Sequence, residues 1–259
     1  MVVTTQTALA AAASLVALAF ALSTFERWLD RRRPHELAWS LSLLMFTAGS
    51  AALWLGAANG WDGPTFRAFY LFGAIVNVPV LALGTVYLLG GRRTGDVWAV
   101  VVGLGSAFAA GVVAVAPFHR AIPVHRLPRG SEVFGPVPRV LAAVASGVGA
   151  LVVLGGALWS AVRLARARRT GGASTSGAGN RPVSGRLVGA NVLIAAGTLV
   201  LGAGGVLNSV LDEMEGFAVT LVVGISLIFA GFLLATAPPR TPEGAPTPQA
   251  APRSGRHAH

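Results

Sequence analysis

The chain has 259 residues, 54% of them hydrophobic and 12% charged, and a net charge of +10. A soluble domain carries about 25% charged residues, so this composition does not describe a water-soluble globule. Lys and Cys are both absent, which excludes disulfides, thiolate chemistry, cysteine-ligated iron–sulfur clusters and the lysine of a phosphate-cradling loop.

The charges fall in short clusters between long stretches that have none. The basic residues, all Arg, sit beside apolar runs and do not form the basic face of a soluble fold. They predict topology control and attraction to anionic lipid headgroups, and they do not predict nucleic-acid binding. The Ala, Gly and Arg bias resembles a high-GC actinobacterial proteome in composition alone.

Seven uncharged runs reach the roughly 20 residues that a helix needs to cross a bilayer. They are 8–24, 38–58, 68–90, 97–117, 140–162, 187–208 and 216–237, and none contains Asp, Glu, Arg or His. Helices are expected because a lipid-embedded segment must satisfy its own backbone hydrogen bonds. Barrel strands would be about 10 residues long and alternate in polarity. The first run lacks a basic flank before it, and Arg27, Arg31, Arg32 and Arg33 follow it. That pattern predicts a retained anchor and not a cleaved signal peptide. The expected fold is therefore all-α and polytopic, with a seven-helix domain over 1–237.

Fifteen Arg residues lie on the side that holds 25–37, 91–96, 163–186 and the tail, against five on the other. The positive-inside rule then puts the N-terminus outside and the C-terminus in the cytoplasm. Trp28, Trp39, Trp98 and Trp159 fall near cytoplasmic ends, where indole rings favour the interface. Segments 171–185 and 238–259 have linker-like and Pro/Arg-rich compositions, and both are expected to be disordered. The tail's His257 and His259 read either as a weak metal-binding pair or as part of a solvated, idle tail.

Residues 9–22 and 141–154 match at seven of 14 positions, and 47–56 aligns loosely with 195–204. These matches point to a 3+1+3 plan in which spans one to three and five to seven are parallel repeats. Chance matching of Ala/Val/Leu-rich helices explains the same similarity. The plan is similar in topology to the SWEET sugar carriers, and seven spans with the N-terminus outside to the microbial rhodopsins. Neither family's motif residues are present, and a rhodopsin's retinal-bearing Lys has no counterpart here.

In the third span Tyr70, Gly73, Asn77, Val80, Gly84 and Tyr87 share one helical stripe of mostly small or polar residues. Such a stripe is expected to face protein, because lipid offers an Asn side chain no partner. Pro79 cannot donate to the carbonyl of Ile75, so a kink is expected there. In the sixth span Asn191, Ala195, Thr198, Gly202, Gly205 and Ser209 repeat the pattern. Asn77 and Asn191 either line a cavity for a polar solute or act as helix–helix glue.

On the outer side His119, His125, Asp212, Glu213 and Glu215 form a candidate cluster. They read either as a divalent-ion set or as salt-bridged loops. No span contains a carboxylate, His or Arg, which argues against proton coupling, haem ligation and voltage sensing. No GxSxG or HExxH motif occurs, and no cofactor is expected. The expected function is a non-enzymatic membrane component acting through protein partners and the lipid bilayer, as scaffold, accessory subunit or sensor. The second expectation is a facilitator of a small neutral solute through a cavity lined by Asn77 and Asn191.

Overall fold

The computed structural model describes residues 2–124, 126–170, 189, 192–194, 196–201 and 214–236. They form α1 (Val2–Arg31), α2 (Pro34–Asn59), α3 (Gly63–Phe69), a π-helical stretch (Tyr70–Val76), α4 (Asn77–Val115), α5 (Gly130–Val133), α6 (Pro136–Thr170) and α7 (Met214–Thr236). Among the described residues no strand forms, and one isolated bridge joins Phe118 to Phe134. Among the described residues four helices are long and apolar enough to cross a membrane: Thr7–Arg31, Pro34–Asn59, Gly63–Val115 and Pro136–Trp159. Shorter apolar helices run over Val192–Leu201 and Ala218–Leu234.

The helices overrun the apolar runs from which they were expected. Residues 92–96 are helical, and the turn in this segment narrows to one non-helical residue, Gly91, at φ 77 and ψ 179. Only glycine adopts that backbone without strain. The chain doubles back at this residue. A continuous helix would hold Arg67 and Val113 about 69 Å apart, yet the Arg67 guanidinium bonds the carbonyls of Val113, Ala114 and Ala116. Residues 63–90 and 92–115 are thus the two arms of a helical hairpin. The turn is tight enough to bring the Tyr87 ring against Gly95, where an added Cβ would lie 2.0 Å from a ring carbon. The Tyr87 hydroxyl also donates to Asp96 at 2.9 Å.

The helix does not break at Pro79. It passes through the proline in regular form, and the irregularity sits just before it, in the seven π-helical residues Tyr70–Val76. A π register bonds residue i to i−5, and the widened turn ends at Val76, before the proline.

Neighbouring contacts give the helices common ends. Trp39 packs on Gly84, and Gly156 lies against Thr85 and Leu89. The α1–α2 turn, the Gly91 turn and the C-terminal half of α6 therefore share one end. The opposite end holds Trp61, Phe66, Phe69, Tyr70, Phe118 and Phe134 in contact. It is tied by Trp61 N–H to Val124 C=O at 3.1 Å and His119 N–H to Val133 C=O at 2.9 Å. Asp62 starts the first arm as an N-cap, accepting from the Thr65 N–H at 2.8 Å. The Thr65 hydrogen bonds hold its carboxyl below the usual carboxylate range.

Candidate functional site

The middle of the first arm is gripped from two sides, and each side uses one serine and one glycine. From α2, the Ser42 hydroxyl donates to the Asn77 carbonyl at 2.8 Å. Gly49 of the same helix approaches Gly73 so closely that a Cβ would lie 2.9 Å from its backbone nitrogen. From α6, the Ser146 hydroxyl donates to the Ala74 carbonyl. Gly149 lets that helix in until a Cβ would lie 3.0 Å from the backbone of Val78 and 3.1 Å from Pro79 N. Ser146 thus bonds a carbonyl inside the π-helical stretch, a turn before Pro79. Hydroxyls from neighbouring helices are the usual means of satisfying freed backbone groups where no water reaches.

The expected stripe is buried along most of its length. Tyr70, Asn77, Val80 and Gly84 are all buried, and Asn77 retains 8% of its exposure. Tyr87 is half-buried and belongs to the hairpin turn. The Asn77 carbonyl is engaged, while its side-chain amide makes no hydrogen bond to another described residue. Thr198 turns its hydroxyl back onto the Ile194 carbonyl of its own helix, at 2.8 Å. Asn191 lies outside the described residues.

Of the cluster expected at His119, His125, Asp212, Glu213 and Glu215, only His119 has its side chain among the described residues. His119 is exposed, and its ring lies against Gly135, where a Cβ would sit 2.7 Å from a ring carbon. His125, Asp212 and Glu213 lie outside the described residues. Glu215 lies in the first turn of α7, and its side chain is outside what is described. Glu132 pairs with Arg126 at 2.9 Å. No group of three metal-ligating side chains occurs among the described residues.

Two arrangements carry no signal in the local sequence. The first is Arg67, whose guanidinium caps the C-terminal carbonyls of the second arm and lies 4.3 Å over the Phe118 ring. A cation there satisfies orphan acceptors and opposes the helix dipole. The second is Arg27 with Glu36. Because α2 begins at Pro34, His35 and Glu36 belong to the helix, and the Glu36 side chain is only 3% exposed. Arg27 reaches it at 3.5 Å and lies 4.9 Å over the Phe232 ring of α7. The bundle therefore does enclose a charged pair, although the uncharged runs alone exclude one. Residue spacing could have found Glu36 only if the helix start at Pro34, a favoured first position, had been extended into the span.

The chain matches no family model, no curated protein and no solved structure. The class that its own features define is an α-helical, membrane-embedded protein.

Proposed function

We propose that this is a seven-span protein of a bacterial plasma membrane, N-terminus outside and C-terminus cytoplasmic, that acts without catalysis and through partners, as scaffold, accessory subunit or sensor. The observation that carries the reading is the closed seam around Asn77. The polar groups of Ser42 and Ser146 are spent on helix–helix bonds to Asn77 and Ala74, with glycine backbones in contact beside them. Such a seam holds helices together and leaves no opening for a solute.

Two features support the 3+1+3 plan. Gly49 and Gly197 occupy equivalent places in the loosely aligned segments 47–56 and 195–204. Each crosses a glycine of the following span: Gly49 meets Gly73, and Gly197 meets Gly224, where a Cβ would lie 2.6 Å from the carbonyl oxygen. The first arm packs on α6 through Gly149, as α7 packs on α1 through Phe20 and Phe229. Spans three to five and seven to one are the equivalent pairs in a duplicated ring. Exposed Arg31, Arg32, Arg33, Arg92 and Arg93 share one end, which favours anionic lipid headgroups as a partner surface on the cytoplasmic side.

A second reading, a facilitator of a small neutral solute using Asn77 and Asn191, is favoured by the Asn77 amide's lack of a described partner. Cysteine accessibility separates the two, since the chain has no Cys. Asn77→Cys is labelled with a membrane-impermeant maleimide from each face of oriented vesicles. The partner-acting reading expects no labelling while a cysteine at Arg93 reacts normally. Labelling from both faces would overturn it in favour of transport.

A further inference from the structure

The pair Arg27–Glu36 is a fork with one arm closed. Arg27 Nη2 and Glu36 Oε1 stand 3.5 Å apart, while Arg27 Nε and Glu36 Oε2 are buried and have no hydrogen-bond partner. These are the two atoms that would make the second arm of a side-on bidentate pair. The guanidinium is held by its stack on Phe232 of α7. Glu36 is fixed in the first turn of α2, where its own N–H bonds the Arg33 carbonyl at 3.1 Å. With both partners held from different helices, the fork does not close on itself.

A buried acceptor atom without a partner beside a buried donor without one is costly. The smallest group that satisfies both atoms at once is a hydroxyl. A hydroxyl accepts from Arg27 Nε–H through its oxygen and donates its hydrogen to Glu36 Oε2. A second carboxylate would satisfy only the arginine, and an ammonium only the glutamate.

We propose that Arg27 and Glu36 form a binding site for a single hydroxyl group, seated between α1, α2 and α7 at the Arg-rich end of the bundle. Two sources supply that chemistry: a water molecule, or the glycerol headgroup of a phosphatidylglycerol whose phosphate rests on the exposed Arg31, Arg32 and Arg33. The site is independent of whether the protein scaffolds or transports.

The test is a high-resolution experimental structure of the unmodified chain in two nanodiscs, one of phosphatidylglycerol and one of phosphatidylcholine, whose headgroup has no hydroxyl. The site requires a density peak within about 2.7–3.2 Å of both Arg27 Nε and Glu36 Oε2. An isolated peak in both bilayers assigns it to water. A peak continuous with a phosphate, in phosphatidylglycerol only, assigns it to the lipid. The proposal is overturned if Nε bonds Oε2 directly, or if the fork stays open with no peak in either bilayer.

Discussion

The two arms of the Gly91 hairpin have similar apolar composition and opposite fates. The first arm, 63–90, is gripped by α2 and α6 at Gly73, Ala74, Asn77 and Pro79. The second, 92–115, turns most of its surface outward: Val97, Leu104 and Phe108 are 65%, 68% and 62% exposed. Both arms carry glycine. Gly73 receives Gly49 of α2, whose added Cβ would lie 2.9 Å from the Gly73 nitrogen, whereas Gly103, Gly105 and Gly111 have nothing within 4 Å of where their own Cβ would stand. Small residues in a span therefore mark a helix crossing only where hydroxyls and free carbonyls accompany them. In the outward arm they lie open, on a surface suited to lipid.

The largest expected effect separates these two classes of glycine. Gly49→Leu drives a side chain into the Gly73 backbone, which cannot yield as a flexible side chain would. It should lower stability by about 3 kcal/mol or more, read as loss of monodisperse protein or a large fall in Tm in detergent. Gly103→Leu should change Tm little, or raise it slightly, since glycine costs a helix interior about 0.5–1 kcal/mol against alanine. Equal losses from both would dissolve the distinction between the arms.

Arg67 is the device that ties the outward arm to the gripped one. Arg67→Met keeps the aliphatic stem and removes every donor from the carbonyls of Val113, Ala114 and Ala116. About 2 kcal/mol of stability should be lost, from unsatisfied acceptors and the vanished stack on Phe118. Limited proteolysis after residue 115 should quicken in the same variant. An unchanged digestion pattern would show that apolar packing alone holds the hairpin closed.

The serine bonds are smaller. Ser42→Ala and Ser146→Ala each remove one interhelical hydrogen bond, worth about 0.6 kcal/mol and at most about 1.7. Both losses should fall in that range, measured by unfolding in matched detergent. No loss from either variant would show that the glycine crossings alone hold the seam.

Much of this architecture can be read from the uncharged runs, because length and polarity govern whether a helix can enter lipid. The stripe through Tyr70, Asn77 and Gly84 was legible for the same reason: an amide among aliphatic residues requires a protein neighbour. What faces the stripe was not. Ser42 and Ser146 reach it from helices 35 and 72 residues distant in sequence, and a lone serine in an apolar run carries no mark of its target. The π-helical stretch was hidden because Pro79 announces a missing donor without saying which register the chain adopts. Arg67 reads as a loop charge until the hairpin brings Ala116 to it, 49 residues on. Glu36 was assigned to a connecting segment because the boundary was drawn at the last charge, whereas the helix starts at Pro34 and takes that charge inside.

The central claim is that the first arm is dry and closed around Asn77. Hydrogen–deuterium exchange on the unmodified chain in lipid nanodiscs tests it without altering a residue. The loop around residues 120–124 serves as the fast-exchanging reference. Amides of 70–80 should remain protected for hours despite the π register and the proline, as slowly as those of 97–110. Exchange of 70–80 within minutes, with 97–110 still protected, would mean that water enters the seam and would contradict the account.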